Sequence, residues 1–173
     1  MNRCFAFFIS VLLSSTLWAN TFVISEDTGD ELKATIQSSW MHCEEQRWCA
    51  DELYYYRESF IAEAQISEQS LTVELFAEYS PHLLSQLQLH LRQEGFELLR
   101  VKIEGVEFDV ASAVKESSLA EADKALILFL NRYPSSAERT LDWQSRVWHT
   151  QLKSDGELVS LTLTQRRIQP SEN

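Results

Sequence analysis

The most regular pattern of apolar and polar residues lies at 71–79, where every second residue from Leu71 onward is apolar. A period of two predicts a strand with one buried and one solvated face. The residues that follow are typical of a helix, with Ser80 at the cap, Pro81 in the first turn and Gly95 just past the end. Its predicted buried stripe consists of four leucines at helical spacing: Leu83, Leu84, Leu87 and Leu91.

Shorter segments on both sides predict further elements. Apolar residues at i, i+4 and i+8 predict a helix over 31–43. Three more strands are predicted at 54–66, 96–103 and 106–110, with a hairpin loop at 67–70 and a tight turn at Glu104-Gly105. The middle of the chain therefore combines strands with one long helix.

The segment between 111 and 130 is ambiguous. Residues 111–124 are predicted to be partly helical. Ser118 and Glu121 have the spacing of a capping box, although the helix that they would open is short. The apolar run at 125–130 fits either a central strand that is buried on both faces or a buried helix. We interpret this run as a strand.

A final hairpin is predicted around Asp155-Gly156, a favoured pair for a two-residue turn, with strands at 140–152 and 157–168. With these two residues at the centre of the turn, one buried side carries three facing pairs: Leu152 with Val159, Thr150 with Leu161, and Trp148 with Leu163. The other side carries His149 among Gln, Ser and Thr residues. We expect this side to be solvated, and docking of a partner there is the alternative.

Together the elements predict an α+β domain in which a mainly antiparallel sheet has its helices packed on one face. A ferredoxin-like core is one arrangement that fits this order. No linker rich in Pro, Gly or Ser and no internal repeat divides the chain after its first segment. We therefore predict a single domain over 31–173, preceded by a loosely ordered lead-in at 20–30.

The first segment of the chain differs from the rest. Arg3 carries its only charged side chain, and residues 4–25 carry none. The apolar part of 1–19 is short for a membrane span and is diluted by Ser and Thr, so a signal peptide cleaved after Ala19 fits better than an uncleaved anchor. Cleavage would leave no stable membrane insertion. The absence of an N-x-S/T sequon favours the bacterial periplasm over a eukaryotic secretory route.

The net charge of −11 narrows the range of partners. An acidic surface repels the phosphates of nucleic acid and is not attracted to anionic membranes, so neither is expected as a partner. The charge is compatible with a cationic protein partner or with simple solubility, and of the two it favours solubility.

Cys43 and Cys49 are the two cysteines outside the export segment, and in an oxidising compartment such a pair predicts a disulfide. On a continuous helix, residues six positions apart lie about 9 Å apart along the axis, too far for this bond, so residues 43–49 must turn. A metal site that includes His42 lacks a clear fourth ligand, and a redox pair lacks the C-x-x-C spacing.

The sequence gives little support for catalysis. Its four glycines are dispersed, so no phosphate-binding loop is visible, and the patterns H-E-x-x-H, G-x-S-x-G and C-x-x-C do not occur. The histidines are scattered, and the many acidic residues do not single out a catalytic pair. We therefore assign no catalytic, cofactor-binding or metal-binding residue and no cofactor, and enzymatic activity is left unsupported.

One stretch concentrates residues that are typical of interfaces. Trp40, Trp48, Tyr54, Tyr55 and Tyr56 lie within seventeen residues that also hold the two cysteines. Aromatic side chains with a polar atom are enriched at protein interfaces, and they also pack into cores. Because three consecutive tyrosines on a strand cannot all face the same way, some exposed aromatic surface is expected here.

These observations favour an exported, non-enzymatic binding or accessory protein that engages a protein partner. Such a protein would act as an assembly factor, as the partner of a sensor, or as an inhibitor or immunity protein. One alternative is a small exported hydrolase acting on cell-wall glycan or peptide. Another is a binder of small apolar ligands.

Overall fold

The computed structural model of the protein describes residues 22–24, 29–68 and 70–165, so the predicted signal peptide at 1–19 lies outside the described residues. The elements are α1 (Gly29–Ser39), β1 (Met41–Glu44), β2 (Arg47–Tyr55), β3 (Glu58–Ile66), β4 (Leu71–Glu78), α2 (Pro81–Gln93), β5 (Glu97–Ile103), β6 (Val106–Asp109), α3 (Val110–Glu116), α4 (Leu119–Leu130), β7 (Arg139–Gln144), β8 (Trp148–Ser154) and β9 (Leu158–Gln165). The nine strands form one sheet in the order β1-β2-β3-β4-β9-β8-β7-β5-β6. Every neighbouring pair is antiparallel, which confirms the predicted α+β class.

One face of the sheet is buried. Its apolar side chains lie opposite one another on neighbouring strands, as Leu75, Leu161 and Leu152 do on β4, β9 and β8. Together with Ile36 of α1, the leucines of α2 and Phe129 of α4, they form a single core. The helices therefore pack on one face of the sheet, and the other face carries mostly polar and charged residues.

Helix α2 forms as its sequence predicts. The Ser80 hydroxyl accepts a hydrogen bond from the Leu83 N–H at 3.0 Å, and Gly95 follows the end of the helix with φ +81°. All four leucines of the predicted stripe are buried. The helix connects β4 to β5, which β9, β8 and β7 separate in the sheet. In a ferredoxin-like core a single strand separates the two strands of each strand–helix–strand unit, so the three intervening strands here give a different topology.

The structure corrects two predictions near the disulfide. The first helix ends at Ser39, and the residues up to 43 that were expected to continue it begin a strand instead. The segment 54–66 is two strands, because Tyr56 and Arg57 turn the chain with φ of +48° and +74°. Side chains other than Gly rarely adopt positive φ, so a run of tyrosines gave no sign of a turn.

The predicted strand at 125–130 is wrong, because these residues belong to α4. The capping box at Ser118 and Glu121 is present, and the helix that it opens has twelve residues rather than a short one. Leu126 and Phe129 are buried, whereas Ile127 and Leu128 are exposed. The continuous apolar run therefore does not reflect burial on two faces of a strand.

The C-terminal hairpin forms with a different register. The predicted strand at 140–152 is interrupted after Gln144, and the central turn residues are Gly156 and Glu157, one position later than predicted. The observed partners are therefore Leu152 with Leu161, Thr150 with Leu163 and Trp148 with Gln165. Because the partner of each residue shifts by two positions, all six predicted side chains remain on the buried face.

Part of the predicted lead-in packs against the domain. Phe22 and Ile24 are buried, and the Phe22 N–H donates to the Tyr54 carbonyl at 2.7 Å. Among the described helices, none has the length and apolar character that crossing a membrane requires.

Candidate functional site

The aromatic residues singled out in the sequence lie in different environments. Trp40 and Trp48 are half-buried against the core, and Tyr55 is completely buried. Tyr54 lies on the opposite side of β2, where its hydroxyl donates to Glu52 at 2.6 Å. Of these residues, the structure brings Tyr55 and Tyr56 into ring contact, with ring centres 4.9 Å apart.

Tyr55 and Tyr56 belong to a cluster at the end of α2. The Tyr55 hydroxyl donates to Glu94 at 2.8 Å, and the Tyr56 ring stacks on His90 with ring centres 3.7 Å apart. Burial raises the pKa of Glu94, and mainly burial raises the pKa of Tyr56 to about 12. The pKa of Tyr55 is raised as well, first by burial and then by the Glu94 charge. The raised pKa values keep both phenols neutral, so that they can donate hydrogen bonds to Glu94. These bonds attach the β2–β3 turn to the end of α2.

The predicted disulfide is present. Cys43 on β1 and Cys49 on β2 are joined, with their Cα atoms 5.9 Å apart, and the chain turns between them at Gln46 with φ +59°. His42 makes an edge contact with the Trp48 ring at 5.3 Å. Within the described ranges, no group of three or more His, Cys, Asp or Glu side chains could hold a metal ion.

The polar face of the sheet contains a hydrogen-bonded row. Arg100 Nε donates to Asp142 Oδ2 at 2.9 Å, and Gln151 Nε2 donates to the other carboxylate oxygen at 2.8 Å. The bond to Asp142 is the main cause of a raised Arg100 pKa. These side chains satisfy one another, and His149 is exposed on the same face.

A groove that the sequence did not reveal lies at the other end of the sheet from the disulfide. It has a volume of about 700 Å³ and is bounded by the end of α2, the start of β5, and helices α3 and α4. Its apolar lining includes Phe96, Leu98, Leu99, Val110, Val114, Leu119, Leu126, Ile127, Leu130 and Trp143. Val114, Leu119 and Ile127 are exposed to solvent. This combination of apolar lining and exposure makes the groove the strongest candidate for a binding site.

Charged residues of both signs line the groove. Arg92, Glu97, Lys115 and Asp123 are all exposed, and among the described residues none of them takes part in an ion pair. The Arg92 guanidinium lies 5.8 Å from the centre of the Trp143 ring, within cation–π range. The groove thus combines apolar surface with charges that remain available to a partner.

One sequence signal for this groove was present. Apolar residues occupy more than one face of α4, because Leu119, Ile127 and Leu128 are exposed while Ala122, Leu126 and Phe129 are buried. A surface helix needs only one apolar stripe to pack on a sheet, so the surplus is apolar surface that packing on the sheet leaves exposed. Reading the run at 125–130 as a strand concealed that surplus.

Comparison of the chain with protein-family models found no match, and comparisons with curated proteins and with solved structures found none either.

Proposed function

We propose that this protein is a non-enzymatic binding protein whose groove receives an apolar segment of a partner protein. The observation that carries the proposal is the exposed apolar lining of the groove, above all Ile127, which is 57 % exposed, and Leu119, which is 66 % exposed. Apolar side chains that stay in water do not contribute the free energy of burial. A partner that covers them would gain that free energy on binding.

A protein segment suits the groove better than a lipid-like ligand does. The groove is open to solvent along α3 and α4, as an elongated partner requires, and its volume also lies in the range of small-ligand pockets. Arg92 and Lys115 are basic whereas Glu97 and Asp123 are acidic, so the lining complements charges of both signs. A fatty acid carries one charge, and a peptide carries several of either sign.

We further propose that the protein acts in the periplasm or is secreted. The segment at 1–19, in which a single basic residue precedes an uncharged apolar run, supports export. The Cys43–Cys49 disulfide is compatible with an oxidising compartment. A partner is therefore sought among envelope and exported proteins.

Two isoleucines provide a matched test. Ile127 in the groove and Ile61 on the polar face of the sheet are 57 % and 58 % exposed. We expect Ile127→Glu to abolish capture of a stoichiometric partner from envelope extract, because a carboxylate must be desolvated on binding. Ile61→Glu should retain capture. The captured protein is then purified and its affinity for both variants is measured by calorimetry.

A thermal melt of each variant establishes that it is folded. Loss of affinity in Ile61→Glu with full affinity in Ile127→Glu would move the binding surface to the open face of the sheet. Saturable binding of a fluorescent apolar dye, displaced by medium-chain lipids and by no envelope protein, would favour the binder of small apolar ligands.

A hydrolase remains the second candidate because of one local feature. Ser112 and Lys115 of α3 have the spacing S-x-x-K, in which a serine nucleophile lies one helical turn from a lysine, and Lys115 lines the groove. Ser112 is, however, engaged by the helix cap, because its N–H donates to Asp109 Oδ1 at 2.8 Å and its hydroxyl also bonds that carboxylate. Labelling of Ser112 by a fluorophosphonate probe, abolished in Ser112→Ala, would favour the hydrolase over the binding protein.

A further inference from the structure

Trp143 has an unusual polar environment at the groove. Its side chain is completely buried on β7, between Leu98 of β5 and Thr150 of β8, and it lines the groove. The indole N–H has no hydrogen-bond acceptor among the described residues. Buried donors without an acceptor are rare, because they lose their hydrogen bonds to water and gain none in return. A ligand atom that accepts a hydrogen bond from this N–H would remove that cost.

Arg92 places a positive charge beside the same indole. Its guanidinium lies 5.8 Å from the ring centre, in the last turn of α2. Glu97 and Asp123 line the same groove, yet neither forms an ion pair with Arg92. The indole of Trp143 therefore has a cation over its ring and an N–H donor without an acceptor, and a carboxylate oxygen can accept from both kinds of donor.

Building on the proposed function, we infer that the partner segment presents a carboxylate to Arg92 and to the indole N–H of Trp143, while its apolar side chains contact Ile127 and Leu119. The carboxylate is either the C-terminus of the segment or an acidic side chain. Because the indole nitrogen is closed to water, the side chains that cover it must shift to admit the carboxylate.

Three labelled peptides test the inference. Each has a fluorescein at its N-terminus and six Ala and Leu residues. One ends in a free carboxylate, one ends in an amide, and one ends in an amide but contains a Glu in place of one Ala. We expect at least one carboxylate peptide to bind roughly tenfold more tightly than the plain amide by fluorescence anisotropy. Whichever peptide binds more tightly identifies the source of the carboxylate.

Two arginine variants localise the preference. Arg92→Gln should reduce the tenfold preference to about onefold, whereas Arg57→Gln, an exposed arginine on the β2–β3 turn, should retain it. The indole ¹⁵N–¹H signal of Trp143, assigned by its loss in Trp143→Phe, should shift when the carboxylate peptide binds and not when the amide binds. The shift itself is measured on the unmodified protein, and the folded Trp143→Phe variant serves only for the assignment.

Equal affinity for all three peptides, or a preference that survives in Arg92→Gln, overturns the inference. Absence of binding by every peptide overturns it as well. If all three peptides bind with equal affinity and Ile127→Glu abolishes their binding, the proposed function of the groove is retained. Only the inference that the partner presents a carboxylate is then wrong. Partner capture that persists in Ile127→Glu removes the proposed function itself.

Discussion

Helices α2 and α4 pack on the same face of one sheet and have nearly the same length, but they differ in how many of their large apolar side chains are buried. α2 buries four leucines and exposes one large apolar side chain, Leu89. α4 buries Ala122, Leu126 and Phe129 and exposes Leu119, Ile127 and Leu128. The apolar residues of α2 are therefore accounted for by folding. Those of α4 exceed what folding uses, and this excess is the basis of the proposed partner surface.

The largest expected effect separates the two helices by stability. Leu87→Ala in α2 should lower the free energy of unfolding by about 2–5 kcal/mol, because Leu87 is 1 % exposed and its loss leaves a cavity. Ile127→Ala in α4 should change it by no more than about 0.5 kcal/mol. Urea denaturation measures both values. A comparable loss in the two variants would contradict the view that Ile127 is surplus to the fold.

A change remote from both helices provides a control. Replacing Cys43 and Cys49 with Ser should lower the free energy of unfolding by about 2 kcal/mol, because the disulfide closes a short loop. The groove lies near β5, whereas the disulfide joins β1 and β2 at the opposite edge of the sheet. Peptide or partner affinity at the groove should stay the same in this variant. A coupled loss of affinity would show that the two ends of the sheet are not independent.

The helix caps should contribute equally. The Ser80 hydroxyl accepts from the Leu83 N–H, and the Ser118 hydroxyl accepts from the Glu121 N–H. Ser80→Ala and Ser118→Ala should each cost about 1 kcal/mol. Thermal unfolding of both variants tests whether the two N-terminal caps contribute the same stability. If they do, the helices differ in the exposure of their apolar residues and not in their capping.

The smallest effect concerns pH. Burial raises the pKa of Glu94, next to the end of α2, above its ordinary value of 4.5, so the stability that its protonated form provides is present below pH 4.5 and is lost as the pH rises through the native pKa. Hydrogen bonds from Ser118 lower the pKa of Glu121 in α4, so its stability is present above pH 4.5 and is lost as the pH falls through the lowered value.

The two carboxyl groups should therefore give opposite pH profiles. Relative to the unmodified protein, Glu94→Gln should gain stability as the pH rises from 4 to 7. Glu121→Gln should be less stable at pH 7, and its deficit should shrink as the pH falls. Chemical denaturation at each pH measures the differences, and profiles of the same sign would refute the assignment.

Local sequence was sufficient to predict elements whose first and last residues are marked by capping or turn residues, or whose apolar residues alternate regularly. Ser80, Pro81 and Gly95 predicted α2 together with its buried stripe, and alternation predicted β4. Prediction failed where the deciding contact was not local. Tyr56 and Arg57 turn the chain in a backbone conformation that their side chains do not favour. The run at 125–130 belongs to α4, whose capping box at Ser118 and Glu121 was visible in the sequence. Only the packing of Leu126 and Phe129 against the core shows that this helix extends through the apolar run.

The amino-acid sequence alone determined the α+β class, the disulfide pair and the buried face of the C-terminal hairpin, because each depends on periodicity or on residues near in the chain. The tertiary structure alone decided the strand order and the groove. The groove collects residues of α2, β5, α3 and α4 together with Trp143, and its lining extends along the chain from Arg92 to Trp143. Which side chains remain exposed there depends on how these elements pack together, and the surplus of apolar residues in α4 is only a partial local sign of it.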